Sequence, residues 1–466
     1  MNSCTHLTAA ASLCILIYSS CAPSNSPTPQ LETPTTNQWK YSSTRPKTIR
    51  PQWWRDFNDP ILNQLLANLS KSNLSLQASL ARLEQARAQL GIVQSQLRPT
   101  LDAQSGILRS RSSDDEAVPF VSNPLTQYQA SLQTSWEIDL WSRLKRQVQA
   151  GEADLATATA QTNDLALSLQ AQTTQTYLNL RFLEEDRELL TKMQQSLQST
   201  LDLVTHQVNG GRGTQADLSR AQAEVRRIEA EIARAESPIA RLQNALAVLT
   251  GRSPSQFHLT PRPTPEKLPT LTPRTPLEVL SHRPDLAVAI ARLTAANARV
   301  GVAHANFYPK LTLLGSSGFS SLSADSFLQW SSRTFSLGPS LSLPLFQGGR
   351  LKSELATRQA EQKEALLNYQ QASLQAFREI EDTLATLNSL NLESRAQTAA
   401  RKSTENTVEI TANQFESGRI NALVLNQAQR DLLQDQRRAL AIRRLQFENS
   451  VTLIKVLGGG TRLQGK

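Results

Sequence analysis

Residues 81–99 read ARLEQARAQLGIVQSQLRP, and residues 291–309 read ARLTAANARVGVAHANFYP. At an offset of 210 the two stretches share Ala81 with Ala291, Arg82 with Arg292, Leu83 with Leu293, Ala86 with Ala296, Ala88 with Ala298, Gly91 with Gly301 and Pro99 with Pro309. Farther along, GRGTQADLSRAQ at 211–222 faces GRINALVLNQAQ at 418–429, now at an offset of 207. The same 207 relates Arg143 to Arg350 and Gly251 to Gly458. A small insertion in a loop between Pro and Arg accounts for the change of offset. Matches that hold register over such a distance mark an internal repeat. The chain is one unit written twice.

Each copy runs in the same order: helix, strand, loop, strand, very long helix, turn, helix. Proline stops the first helix of each copy at Pro99 and Pro309, because it removes a donor and clashes with the preceding turn. The run QYQASLQTSWEIDL, Gln127–Leu140, then alternates throughout. Tyr128, Ala130, Leu132, Thr134, Trp136, Ile138 and Leu140 share one face; Gln127, Gln129, Ser131, Gln133, Ser135, Glu137 and Asp139 share the other. A two-residue period with a dry face and a wet face is a strand. In the second copy FSLGPSLSLPLF (335–346) puts Phe335, Leu337, Leu341, Leu343 and Leu345 on one side and Ser336, Gly338, Ser340 and Ser342 on the other. Weaker strands precede these at about 100–112 and 310–320. An outer-membrane barrel strand has this character, about 10 residues long with apolar groups toward lipid and polar groups toward a lumen. The alternative is a half-buried sheet of a soluble domain. Four strands cannot close a barrel, for which about eight is the practical minimum, and open edges are not tolerated in lipid. A membrane barrel here therefore requires several chains.

From 142 to 209 there is no proline and one glycine, Gly151, so the segment reads as a helix of roughly 100 Å at 1.5 Å per residue. Residues 348–417 give its counterpart. Each long helix ends at a Gly-Arg turn, Gly211-Arg212 or Gly418-Arg419, that starts a shorter helix, 214–251 or 420–458. The domain plan is a first repeat at 52–251 (strands about 100–112 and 125–140), a proline-rich equatorial linker at 252–280, a second repeat at 281–460 (helix 281–308, strands about 310–320 and 334–346), and a tail at 461–466. The linker holds seven prolines and reads as extended chain around the outside of the helices.

Ahead of the first repeat, LTAAASLCILI at 7–17 is an apolar run followed by Tyr18-Ser19-Ser20-Cys21. That run suits a signal peptide, 1–20, and is too short to span a bilayer. Small residues before a cysteine resemble the lipobox of bacterial lipoproteins, which makes Cys21 a lipid-attachment candidate; an ordinary cleaved signal with an incidental cysteine is the alternative. Residues 21–51, rich in Pro, Ser and Thr, read as a tether.

Composition excludes several classes. All three cysteines of the 466-residue chain lie in its first 21 positions, so no disulfide framework exists. The five histidines are scattered without ligand spacing, and neither a metal nor a cofactor is expected. No G-x-S-x-G, P-loop or H-E-x-x-H motif occurs, so the chain is not expected to be an enzyme. The net charge of +9 is not a nucleic-acid footprint, because Arg is interspersed with Glu, as in RRIEAEIARAE at 226–236. No run approaches the roughly 20 apolar residues of a spanning helix.

Specific residues carry a family resemblance. They are Trp53-Trp54, Asp59-Pro60, Arg283-Pro284-Asp285-Leu286, Phe307-Tyr308-Pro309, Asp139-Leu140-Trp141-Ser142-Arg143 (usually with Gly at 142) and Pro344-Leu345-Phe346-Gln347-Gly348-Gly349-Arg350. Together they resemble the TolC/OprM-type outer-membrane efflux ducts, in particular the lipoprotein branch that serves RND pumps. The resemblance implies a largely α-helical chain with a β-barrel part: a homotrimer whose twelve strands close one barrel in the outer membrane, continuous with a periplasmic α-helical barrel. It implies lipid contact, no catalytic site, and opening at the periplasmic tip when an adaptor protein and an inner-membrane pump dock. The two Gly-Arg turns would form that tip. Where family members commonly carry carboxylates after the second turn, this chain has Val424 and Gln427. Contacts among Arg212, Asp217, Arg220, Arg419, Asn421 and Gln427 are the expected closure; the alternative is that these are solvated residues at helix starts. A periplasmic adaptor lipoprotein is the competing function, and it would have a single helical hairpin without duplication.

Overall fold

The computed structural model describes residues 39–41, 50–113, 115, 123–265, 268 and 281–459. The signal segment, Cys21, nearly all of the tether, linker residues 269–280 and the tail lie outside the described residues. Two compact units interleave along the chain, one formed by 83–158 with 288–370 and the other by 33–82, 159–287 and 371–466, as far as these are described.

The elements are α1 (Pro60–Ser72), α2 (Leu74–Ser95), β1 (Thr100–Ser110), β2 (Leu125–Ile138), α3 (Arg143–Asn209), α4 (Gln215–Leu249), α5 (Pro284–Ala305), β3 (Lys310–Ser321), β4 (Arg333–Ser342), α6 (Arg350–Glu416) and α7 (Ala422–Val456). The long and the short helices of the two repeats match in length to the residue. α3 and α6 are both 67 residues long, and α4 and α7 are both 35. β4 ends at Ser342 rather than at 346, two residues before Pro344, which has no N–H to offer a ladder. α5 is the one described helix long and apolar enough to cross a membrane, and half of its apolar window is buried inside the protein.

In the first unit β1, β2, β3 and β4 form an antiparallel sheet in that order. A tight joint feeds β2 into α3. The Asp139 carboxylate accepts from the backbone N–H of Leu144 (3.1 Å) and Lys145 (2.9 Å), satisfying two of the helix's orphan donors. Arg143 donates to both oxygens of Glu137 at 2.9 and 2.7 Å. Trp141 donates its indole N–H to the Pro309 carbonyl (2.8 Å) and stacks on Tyr308 at 5.0 Å. Ser142 takes φ +60°, where its repeat counterpart is Gly349 at φ +85°.

The second unit has the main apolar core. Trp53, Phe57 and Leu62 meet Tyr177, Leu178 and Phe182 of α3, Leu246 of α4, Ile380 of α6 and Phe447 and Val451 of α7. Asp59 shows why Asp-Pro stands before α1. One oxygen accepts from the N–H groups of Ile61 (2.8 Å) and Leu62 (3.2 Å) while Pro60 fills the first helical position. The other oxygen accepts from the Tyr177 hydroxyl at 2.5 Å. Linker residues 257–265 contain no helix or strand. They are held from α3 and α7: Arg181 donates to the Thr260 carbonyl and Arg443 to that of Pro265.

Candidate functional site

The register of the sheet decides what its two faces are. Leu101, Ala103, Ser105 and Ile107 of β1 stand opposite Thr134, Leu132, Ala130 and Tyr128 of β2. These in turn oppose Gly315, Ser317, Phe319 and Ser321 of β3. Leu311, Leu313, Gly315 and Ser317 face Leu341, Pro339, Leu337 and Phe335 of β4. One face of all four strands is therefore mostly apolar. The other carries Asp102, Gln104, Gln129, Ser131, Gln133, Glu137, Thr312, Ser316, Ser336 and Ser340, with Leu108, Leu125 and Leu314 as its apolar exceptions. Among the described residues nothing covers the apolar face: Leu101 is 71% exposed, Phe335 84% and Leu337 75%. Aromatic residues stand at both ends, with Tyr128, Phe327 and Trp330 by the hairpin loops and Trp136 and Trp141 by the helices. Among the described residues β1 and β4 have one unpaired edge each.

At the far ends of α3 and α6, both Gly-Arg turns are Schellman motifs. Gly211 (φ +71°) donates to Val208 and Arg212 to Gln207, while Gly418 (φ +72°) donates to Phe415 and Arg419 to Gln414. The next helices then start with related caps. Thr214 accepts from the Asp217 N–H at 3.2 Å, and Asp217 returns a bond to the Thr214 backbone, completing a capping box. Asn421 accepts from the Val424 N–H at 3.3 Å. Val424 stands at the repeat position of Asp217, so the second cap has no returning carboxylate. Hydrogen bonds from Thr214 hold the Asp217 carboxyl below the ordinary aspartate range.

Of the six predicted tip residues, the chain brings only Asp217 and Arg220 together, at 3.6 Å within one helix. Arg212 and Arg419 are exposed, and among the described residues their side chains meet no carboxylate. Gln427 donates to Asp431 (2.8 Å) and accepts from Arg430 (2.6 Å). The inter-helix clamps are other residues. Arg430 of α7 reaches Glu224 of α4, which Arg227 also contacts at 2.6 Å. Arg437 of α7 holds Asp186 of α3 through two bonds (2.7 and 3.0 Å) and Glu231 of α4 at 2.8 Å. Between the clamps Leu190, Met193 and Leu197 of α3 pack on Val225 and Ile228 of α4 and Leu433 of α7.

The opposite ends of the short helices show a second duplicated device. Gly251 (φ +69°) and Gly458 (φ +88°) end α4 and α7. A Cβ on Gly251 would lie 2.3 Å from the Ser72 carbonyl oxygen, and one on Gly458 2.6 Å from that of His282. The residues that follow those carbonyls then bond the helix ends: Asn73 donates to the Leu249 carbonyl (2.8 Å) and Arg283 to the Val456 carbonyl (2.9 Å). Arg283 is further clamped by Asp285 (2.8 and 3.0 Å) and Glu379 (2.8 Å). Asn73 and Arg283 are repeat equivalents at the offset of 210. Only the charged member was visible as a motif.

A sheet apolar on one face and polar on the other, joined directly to 67-residue helices in two copies, defines a subunit of a transmembrane barrel with a helical extension. The chain belongs to the outer membrane efflux protein family, whose model matches it twice, over residues 65–252 and 275–459. The two matches reproduce the internal repeat. It is 28% identical over 429 residues to the toluene efflux pump outer membrane protein TtgF of Pseudomonas putida, covering 90% of this chain and 89% of that one. It is 27% identical over 413 residues to the probable outer membrane lipoprotein SilC of Salmonella typhimurium, covering 87% and 88%. The crystal structure of the outer membrane protein VceC of Vibrio cholerae superposes with a TM-score of 0.82 at 27% identity, covering 89% of this chain and 100% of that one. The family is one of transport channels, not of enzymes, and the protein is an outer-membrane efflux channel.

Proposed function

We propose that three copies close one twelve-stranded barrel and form the passive outer-membrane duct of a tripartite efflux assembly, with no catalytic chemistry of its own. The observation that carries this is the four-stranded sheet with an exposed apolar face, a polar face and two open edges. Three such sheets joined β4 to β1 give every edge a partner, as lipid demands. The polar faces then line a lumen, and the 67-residue helices extend it by about 100 Å into the periplasm. A periplasmic adaptor and an inner-membrane pump of the RND type would dock on the helical end and open it. The adaptor reading has no place for a duplicated sheet. Particle images of the detergent-solubilised protein test the assembly: a threefold tube is expected, and a monomer or a solid rod would refute it.

Two finer assignments belong to the same reading. Cys21 is the lipid attachment point, in keeping with the lipoprotein designation of SilC; the mature protein's mass should exceed that of Cys21→Ser by the acyl groups. Arg212, Asp217, Arg220, Arg419, Asn421 and Gln427 close the tip through contacts between protomers, since within one protomer they largely cap helices. Conductance in planar bilayers should rise in Arg419→Ala and Asp217→Ala; unchanged conductance in both would sink the gate.

A further inference from the structure

The four strands carry five charged residues, and their placement is not even. Asp102, Glu137 and Lys310 point with the polar set. The remaining two, Arg109 and Arg333, fall in register with the apolar set: Arg109 follows Leu101, Ala103, Ser105 and Ile107, and Arg333 stands opposite Phe319 and precedes Phe335 and Leu337. Arg333 opens β4 and Arg109 is the penultimate residue of β1, so both stand at the hairpin-loop ends of their strands. Both are on the outer strands of the sheet, β1 and β4. The Arg333 guanidinium lies 4.2 Å over the ring of Trp330, which is 75% exposed, and Leu328 beside it is 75% exposed as well. Arg109 is exposed, and no carboxylate meets it among the described residues.

A charge at mid-bilayer on the lipid face costs roughly 2–4 kcal/mol, falling to about 0–1 near the interface; hence an arginine on this face belongs at headgroup level. We propose that Arg109 and Arg333 form a binding rim for the phosphate groups of an anionic lipid in the outer leaflet. The inference rests on the trimeric barrel. When β4 of one protomer pairs with β1 of the next, Arg333 and Arg109 sit on adjacent strands, on the same face and at the same rim, so each protomer boundary presents two guanidiniums to lipid. Arginine forks match phosphate oxygens in two-point bonds. The exposed Trp330 and Leu328, in the loop that enters β4, supply the acyl contact that free phosphate would not use.

Native mass spectrometry of the full protein in neutral detergent tests this with three probes: diphosphorylated lipid A, the same lipid with its phosphates removed, and inorganic phosphate. Wild type should bind the diphosphorylated lipid at least tenfold more tightly than the dephosphorylated one, and millimolar phosphate should not displace it. Arg109→Ala/Arg333→Ala should lose that preference, whereas Arg109→Lys/Arg333→Lys should keep most of it. Equal binding of the two lipids by wild type, displacement by phosphate, or a preference retained in the double alanine variant overturns the rim. The wild-type comparison stands even where a variant does not assemble. Subunit stoichiometry in the same spectra tests the barrel separately, since a monomer mass refutes the trimer itself.

Discussion

Four glycines end helices in the same left-handed geometry, yet their substitution by alanine should separate into two classes. Gly211, Gly251, Gly418 and Gly458 all have φ between +69° and +88°. Each would therefore incur the left-handed penalty of an L-residue, roughly 1–2 kcal/mol, offset by about 0.4–1 kcal/mol from a less flexible unfolded chain. A Cβ at Gly211 or Gly418 meets no atom within 4 Å. A Cβ at Gly251 lies 2.3 Å from the Ser72 carbonyl oxygen and 3.0 Å from its carbon; at Gly458 it lies 2.6 and 2.8 Å from those of His282. These neighbours are backbone and cannot rotate away. They also precede Asn73 and Arg283, so any shift stretches the bonds to Leu249 and Val456. Overpacking of this kind adds about 1–3 kcal/mol. Gly251→Ala and Gly458→Ala should thus lose roughly 2–4 kcal/mol, and Gly211→Ala and Gly418→Ala about 1 kcal/mol or less. A large membrane oligomer unfolds irreversibly, so the comparison is of apparent melting temperatures by circular dichroism at one scan rate. Equal melting of Gly211→Ala and Gly251→Ala would refute the claim that backbone contact at the joint, rather than dihedral preference alone, fixes these glycines.

Three further outcomes follow from particular positions. Ser142→Gly should raise the apparent melting temperature, because it relieves about 1 kcal/mol of left-handed strain at φ +60°; a fall would show that the hydroxyl matters more than the dihedral. Leu132→Arg places a cation on the lipid face and should cost about 2–4 kcal/mol, blocking membrane assembly, while Gln133→Arg on the polar face should assemble normally; fractionation and immunoblotting distinguish them. The Asp217 carboxyl titrates below its unfolded value of about 3.9, so its capping contribution is complete above that value and vanishes as pH falls through the lower folded one. Protection of the first amides of α4, measured relative to intrinsic exchange at each pH, should therefore fall on acidification below about pH 4 in wild type but not in Asp217→Asn.

What the sequence displayed and what it concealed divide by range. β2 was legible because the alternation from Gln127 to Leu140 has no exception; β1 and β4 alternate less cleanly, and their faces emerge only when register ties them to β2 and β3. The tip turns were legible because a Schellman glycine is a local signal. The capping roles of Thr214, Asp217 and Asn421 were equally local. The clamps were not visible. Arg430 meets Glu224 and Arg437 meets Glu231 across 206 residues, and Arg437 meets Asp186 across 251, with no spacing that marks them. Asn73 was silent for another reason: an asparagine before an apolar run reads as an ordinary cap, which it also is, accepting from the Leu76 N–H at 2.9 Å. Only its alignment with Arg283 exposes the joint.

Duplication sets a pairing problem that the clamps solve. α4 and α7 derive from the same ancestral helix, have the same length and carry similar apolar stripes, so apolar packing alone distinguishes poorly between their places against α3. The arginines break the tie. Arg430 and Arg437 lie in the second repeat, and their repeat counterparts at the offset of 207 are Ala223 and Ala230. The acids they meet, Asp186, Glu224 and Glu231, are all in the first repeat. Exchanging the two short helices would put Ala230 opposite Asp186 and leave that partly buried carboxylate without its two-point partner. Exposed ion pairs contribute little to stability, but specificity depends on the difference between right and wrong partners, and here the wrong arrangement loses every clamp at once. The charge that first resembles a polyanion-binding surface is in part a set of addresses, by which one repeat recognises the other.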